Sequence, residues 1–432
     1  MTKSESQFVD IAELRIGLFV ELDVGWMSHP FPTGSFKLST PQQIEAIRAL
    51  GVNRIRIIPS KSDAVTPPVV AVAPNAPSRY DPVQDARQLA AQAILAERKQ
   101  RTEQLAAQAR SLAACERRFG EAIRQYRKTI ELAQAKPLEA AAGAVSMVNG
   151  FVTEMMGEGE SAIRLLSEAA GDKSSMHPVN VTIVSLLLGR AMGLEEAELV
   201  DLGVAAFLHD VGKVLLPDRV RWLDDSFSSA EYKLYQDHVA QSLQIGQGMK
   251  LSRPALLAIA QHHEMVDGTG FPTRVKGDTL SKLARILALV NRYDNLCNPS
   301  RPGSALTPHD SLALIFSQLK AKFDAPTLSA FIRMMGVYPP GSLVQLIDDR
   351  YGMVVSVNSA RPLKPRIIVH EAGISRHEAL ILDLEQAPHI GIRRSVKSTA
   401  LPAAPMDFLA PRQRICYFFE RVVDAQMPEL AA

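Results

Sequence analysis

The chain is poor in cysteine. Cys115, Cys297 and Cys416 are widely separated and odd in number, which leaves no disulfide framework and no cysteine-based metal site and fits a reducing compartment. It has no excess of one charge. The 48 Lys and Arg nearly balance the 46 Asp and Glu, for a formal net charge of +2, so bulk nucleic acid is not an expected partner. It also has no long apolar run. No stretch approaches the ~20 residues that cross a bilayer, and the first residues, Met1-Thr2-Lys3-Ser4-Glu5-Ser6-Gln7, hold no apolar signal segment. A cytoplasmic protein with no membrane span is expected. Internal repeats, a receiver and a transmembrane sensor are likewise not evident.

What is present is enough to fold. Hydrophobic residues make up 47% of the 432 positions, too many for a disordered chain, and the length suggests roughly two to three domains. Residues 1–66 read as a small α/β module. Gly17 to Val24 alternates like a half-buried strand, Ser39-Thr40-Pro41 opens a helix carrying Ile44, Ile47 and Leu50, and Arg54 to Ile58 is a strand. His29, beside two prolines and a Phe, is read as packing rather than as a ligand. Residues 67–82 are a Pro/Ala linker of extended character.

Residues 83–137 are rich in strong helix formers and end at Pro137. Such a connector helix can serve as a signalling element or a homodimer coiled coil, or can pack on its own domain; the heptads do not decide. Residues 138–336 read as helical nearly throughout. From 337 to 395 a small β extension is expected, with strands at Leu343–Ile347, Gly352–Val357 and Arg366–Val369. Residues 396–432 form a tail.

Within the helical stretch, an apolar run ending in Phe207-Leu208 leads directly into His209-Asp210-Val211-Gly212-Lys213. A His-Asp pair on a buried helix is costly unless something compensates it, and a divalent metal does, since imidazole nitrogen and carboxylate oxygen are both good ligands. A lone pair of this kind also has a plain reading, a helix end where both residues cap or face solvent. Its company argues for metal: His177, His238 and His262-His263-Glu264 fall in the same region, so five of the ten histidines accompany one carboxylate. The loop Asp267-Gly268-Thr269-Gly270-Phe271-Pro272 follows at once, its glycines permitting a sharp path.

In order and spacing these residues resemble the HD-GYP domain family, with Phe271 where the name-giving Tyr usually stands. The N-terminal module, with Trp26 and His29-Pro30-Phe31, is similar to a domain of unknown function often found before HD-GYP domains in bacteria. Tyr338-Pro339-Pro340-Gly341-Ser342 and the strands after it look like that subfamily's C-terminal extension. The resemblance implies a mainly α fold: an all-helical HD-superfamily domain with an N-terminal α/β module and a short C-terminal β appendage.

It also implies a phosphodiesterase of bacterial signalling that cleaves cyclic di-GMP to pGpG or GMP, using two divalent ions (Fe, Mn, Ni or Zn). Asp210 would bridge the ions. His177, His209 and a residue at position 291 would hold the first, and His238, His262 and His263 the second. Lys213 would approach the scissile phosphate, with Asp267, Gly270, Phe271, Pro272 and Arg301 on the substrate side. Partners would be a cyclic dinucleotide and signalling proteins.

Three positions depart from the family pattern. Asn291 replaces a metal-binding Asp, so an amide carbonyl stands in for a charged ligand and weakens the first site. Lys173 stands where members thought to hold three metals have Glu, which argues against a third ion. Arg301-Pro302-Gly303-Ser304-Ala305 keeps one arginine of a more basic substrate-side pattern. Besides an active enzyme, the departures leave open a regulator that binds cyclic di-GMP or signalling proteins without efficient turnover. A third reading, another HD-superfamily phosphohydrolase, is disfavoured by the Gly-Phe-Pro loop.

Overall fold

Short strands and one well-capped helix build the N-terminal unit. A computed structural model of the chain describes residues 6–22, 31, 33–50, 52, 54–63, 82–157, 159, 161–167, 173–224, 226–358 and 361–421, divided into two units, Met1–Arg101 and Thr102–Ala432. The first holds β1 (Gln7–Asp10), β2 (Phe19–Glu21), β3 (Ser35–Lys37), α1 (Pro41–Arg48) and β4 (Arg54–Ile57). The antiparallel sheet has the order β1-β4-β2-β3. Thr40 and Gln43 form a reciprocal cap at the start of α1, with Pro41 at its first position. Ile47 then packs with Val20, Leu38, Ile55 and Ile57. The strand expected over 17–24 begins only at Phe19, because Gly17 adopts φ +92° and turns the chain. Trp26 and His29 lie outside the described residues.

α2 (Pro82–Leu132) carries the chain into the second unit. Packing on its own domain describes the second half of this helix. Leu89, Ile94 and Leu95 are exposed, whereas Cys115, Phe119, Ala122, Ile123 and Tyr126 recur at helical spacing and are buried in the core of the second unit. Burying Phe119 alone is worth about 2–3 kcal/mol. There follow α3 (Pro137–Met156), β5 (Ser161–Leu165), α4 (Lys173–Ala191), α5 (Glu196–Leu208), α6 (Ser229–Gly248), α7 (Arg253–Gln261), α8 (Lys282–Cys297), α9 (Pro308–Gln318) and α10 (Ala325–Met335). The helical core is apolar and continuous, with Val204 to Leu208 buried without a break.

The C-terminal part adds β6 (Leu343–Leu346), β7 (Tyr351–Asn358), β8 (Arg366–Val369), β9 (Ile381–Asp383), β10 (Ile392–Ser395), α11 (Ala403–Leu409) and β11 (Tyr417–Arg421). Here the sequence division needs correction. The sheet runs β10-β6-β7-β5-β11, with β8 on β7 and β9 on β8, so one strand comes from inside the expected helical stretch and another from the expected tail. β11 pairs with β5 from Tyr417↔Leu165 to Arg421↔Ser161. Every residue of β5 is buried, so it shows no alternation, and a short apolar run of this kind reads equally well as a piece of buried helix. The helical and β parts therefore share one core, and the mainly α class stands.

Candidate metal centre

Four helices deliver the histidines. His177 lies near the start of α4, His209 caps the end of α5, His238 lies within α6, and His262 caps the end of α7 with His263 after it. Asp210 follows His209 into a tight turn at Val211–Leu215. Gly212 lets that turn touch α6: a Cβ there would stand 2.4 Å from both His238 O and Ser242 N. Its N–H instead donates to Ser242 Oγ at 2.8 Å. The glycine of the His-Asp-Val-Gly-Lys run thus brings Asp210 against His238.

The Asp210 carboxylate is the centre of the arrangement. Its Oδ2 lies 3.5 Å from His177 Nε2 and 3.4 Å from His209 Nε2. Its Oδ1 lies 3.4 Å from His238 Nε2 and 3.7 Å from His262 Nε2. Two groups result, His177-His209-Asp210 and Asp210-His238-His262-His263, each with ligand atoms within 4.8 Å of one another. Lys213 Nζ donates to Asp210 Oδ2 at 2.6 Å and sits over the rings of Trp222 and Tyr235, at 4.9 and 5.3 Å.

The outer ring nitrogens settle which nitrogen faces inward. His209, His238 and His262 each set Nδ1 against the carbonyl three residues earlier, at Ala206 (2.7 Å), Tyr235 (2.5 Å) and Ile259 (2.7 Å). His177 Nδ1 meets Asp294 Oδ2 at 2.5 Å. A carbonyl or carboxylate there assigns the proton to Nδ1 and leaves a lone pair on Nε2. The inward nitrogens consequently face one another as acceptors, His177 against His209 and His238 against His262, both at 3.3 Å. His263 Nε2 and Asp210 Oδ1 are buried without a hydrogen-bond partner. Converging lone pairs and orphaned acceptors are costly by themselves and are what a divalent cation would satisfy, so these residues fit a metal.

The electrostatics agree with that donor set. Burial pushes His177, His262 and His263 below the ordinary histidine range and His238 down to about 4, so these rings are neutral near pH 7, the form a metal ion binds. Burial would raise the Asp210 carboxyl, but interaction with His209 and with the Lys213 ammonium outweighs it and holds the group well below its usual value. Burial would lower Lys213, but Asp210 outweighs it and keeps the ammonium charged.

The loop after the last histidines is tightly built. A Cβ on Gly270 would stand 2.4 to 2.5 Å from backbone atoms of Met265, Glu264 and His263, and Gly268 has φ +77°. Glu264 Oε1 accepts from Thr273 N at 2.6 Å, Thr273 Oγ1 at 2.8 Å and Arg274 N at 3.0 Å. Glu264 therefore staples the loop. Asp267 is exposed and accepts from Thr269 N and Oγ1 within the loop. The Phe271 ring stacks on His263 with centroids 4.4 Å apart, while Pro272 is exposed beside it.

The remaining expected residues stand further out. Asn291 is buried, lines a cavity of about 220 Å³ with His262, His263, Gly270 and Phe271, and its Oδ1 accepts from Asn295 Nδ2 at 2.7 Å. Arg301 is mostly exposed and pairs with Asp224 at 2.9 Å. It lines a second cavity of about 260 Å³ that also touches Lys213 and Trp222. A third, of about 270 Å³, reaches Asp210 and Lys213 from the side of α2 and α4. The Lys173 side chain lies outside the described residues.

Asp294, Asn180 and Asn298 escaped the sequence reading. Asn180 and Asn298 donate to Asp294 Oδ1, the latter at 3.0 Å. Asp294 lies three residues after Asn291 on α8 and so shares its face, a weak signal; nothing local links it to His177, 117 residues away.

Comparison with known proteins agrees with this picture. Residues 162–327 match the HD domain model, and residues 6–144 match a domain of unknown function, DUF3391, which extends well past the expected N-terminal module into α3. A cyclic di-GMP phosphodiesterase of Pseudomonas aeruginosa is 27% identical over 378 residues, covering 84% of each chain. A cyclic di-GMP phosphodiesterase of Borreliella burgdorferi is 24% identical over 44% of this chain and 51% of its own. A 3'3'-cGAMP-specific phosphodiesterase of Vibrio cholerae is 27% identical over 41% of this chain and 39% of its own. The HD domain and DUF3391 matches, together with these relatives, support reading the chain as an HD-GYP protein.

Proposed function

We propose that the protein is a metal-dependent phosphodiesterase that hydrolyses cyclic di-GMP to pGpG or GMP. The observation that carries this reading is the set of inward-facing imidazole nitrogens around one buried carboxylate. His177 and His209 would hold one divalent ion and His238, His262 and His263 another, with Asp210 between them and Fe, Mn, Ni or Zn as suitable ions. When bound, such a pair supplies activation of water and neutralisation of phosphate charge.

The chain's own groups would do the rest. Lys213, held charged by Asp210, would meet a non-bridging phosphate oxygen. Phe271 and Gly270 would shape one side of the substrate cavity and Arg301 the rim of another, while Asp267 would act through the shape of its loop. Hydrolysis forms one bond from water oxygen to phosphorus and breaks the bond from phosphorus to the ribose 3′ oxygen, which takes up a proton.

One observation favours a second reading. Asn291 offers the first site a neutral amide instead of a carboxylate, and one of the two lone pairs of its Oδ1 already accepts from Asn295. In that case the protein binds cyclic di-GMP or a signalling partner without efficient turnover. Incubating purified protein, loaded in turn with Mn, Fe, Ni and Zn, with cyclic di-GMP separates the two. Formation of pGpG or GMP that disappears in His209→Ala is expected. Binding without product under every metal would favour the regulator, and preferential cleavage of 3'3'-cGAMP would change the substrate.

A further inference from the structure

The hydrogen bonding behind His177 does not end at Asp294. Asp294 Oδ1 accepts from Asn180 Nδ2 and from Asn298 Nδ2. Each asparagine uses its remaining groups on the C-terminal segment. Asn298 Oδ1 accepts from Ile415 N at 2.8 Å and its Nδ2 donates to Ile415 O at 2.8 Å. Asn180 Oδ1 accepts from Tyr417 N at 2.7 Å, and its Nδ2 also reaches Ile415 O at 3.3 Å. His177, Asn180, Asp294 and Asn298 are all at least nine-tenths buried. A wholly buried chain of bonds therefore runs from an inward-facing imidazole to backbone more than 230 residues further along.

The geometry is that of a clamp. A side-chain amide that both donates to and accepts from one residue's backbone fixes that backbone as a neighbouring strand would. Asn298 does this at Ile415, and Asn180 spans Ile415 O and Tyr417 N. Both amides also donate to Asp294 Oδ1, which leaves Oδ2 toward His177. The clamped segment is itself anchored: Phe418 and Phe419 are buried, and β11 pairs with β5 along its length.

We propose that the C-terminal segment Ile415–Tyr417 is a working part of the metal centre, and that Asp294, Asn180 and Asn298 are positioning residues through which it sets the orientation of His177. This rests on the reading of the histidine cluster as a metal site. Outer-shell partners of a ligating histidine commonly change metal affinity ~10–100-fold. His238 and His262 are oriented by backbone carbonyls of their own helices, so the effect falls on the His177 side.

The test uses the full-length protein and measures metal per chain by mass spectrometry, together with Mn affinity by chelator competition. Asp294→Ala, Asn180→Ala and Asn298→Ala are compared with Val344→Ala. The last removes buried apolar volume from β6 and makes no bond in the relay. Expected are a loss of the weaker-held ion with Asp294→Ala and a ~10-fold loosening with either asparagine variant. Asp294→Asn, which retains an acceptor, should recover part of the affinity, and Val344→Ala should bind metal as the parent does while melting at a lower temperature. Parent-like metal binding in both asparagine variants overturns the proposal. So does an equal loss in Val344→Ala, which would mark the effect as general destabilisation. A parent protein that binds no metal would instead overturn the underlying metal reading.

Discussion

His238 and His262 take their orientation from carbonyl groups three residues earlier in the same helix, whereas His177 takes its own from Asp294, whose carboxylate is held by side chains of two helices and, beyond them, by the C-terminal segment. The first arrangement is made by the helix itself and survives almost any change of neighbouring side chain. The second depends on three specific polar residues, and leaving any one of them unpaired in a buried place costs about 1–3 kcal/mol. Their surroundings differ as well. His262 and His263 line the cavity walled by Phe271 and Asn291, whereas the cavity on the α2 and α4 side reaches Asp210 past Ser174, Ser175 and Pro178. His209, which shares Asp210 Oδ2 with His177, is set by its own helix like His238 and His262, so His177 alone of these four is turned by a distant side chain.

The strongest way to break the comparison is to remove what both sides share. Asp210→Ala should empty both groups of metal and lower phosphodiesterase turnover on the order of 10³-fold or more. It should also leave Lys213 as a buried, unpaired charge, a loss of about 3–5 kcal/mol. Metal analysis and denaturant unfolding of the same sample check both; a variant that keeps one ion would show that the two groups do not depend on one carboxylate.

A smaller effect sharpens the chemistry of the His238 side. Burial lowers the His238 pKa in the folded chain to about 4 from an ordinary 6.5. The unfolded chain therefore binds the proton first as pH falls. The stability associated with the neutral ring is fully present above about 6.5 and is lost as pH drops through about 4, with about 3 kcal/mol at stake for this group. His177, His262 and His263 shift in the same direction. Metal-free protein should unfold at progressively lower urea concentration between pH 7 and pH 4.5; a constant midpoint over that interval would contradict neutral, buried imidazoles.

The smallest expected effect concerns the ring at the cavity. Phe271→Ala removes the partner stacked on His263 and should lower turnover about tenfold with metal content unchanged, since no ligand is lost. Phe271→Tyr keeps the stacking plane and should stay within about twofold of the parent. Steady-state kinetics on both variants check this, and an inactive Phe271→Tyr would mean that the cavity cannot accept an added hydroxyl.

Much of the candidate site was legible in the chain because the residues that could hold metal sit in short, locally defined settings. His209-Asp210, His262-His263 and the Gly268-to-Pro272 loop each lie at the end of a helix or in a tight turn, where neighbouring residues dictate the geometry. The glycines at 212 and 270 are likewise visible as glycines, although what each is close to appears only in space. Arg301 and Asp267 were legible as polar residues, but not the ion pair to Asp224 or the intraloop hydrogen bond that the structure gives them, since neither partner is marked by spacing. β5 was read as helix because a strand buried on both faces has no alternation.

A mainly helical core, the five histidines and one aspartate spaced along it, and a phenylalanine ring at position 271 can all be read along the chain. Apolar periodicity, helix-ending residues and tight-turn glycines act over a few residues and are therefore written locally. Only the tertiary structure decided that β11 joins β5, that Asp294 turns His177, and that Asn180 and Asn298 tie both to residues 415–417. Those are pairings of polar groups far apart in the chain. Such groups can be satisfied by any complementary partner, and which partner arrives is settled only when the apolar core has closed around them.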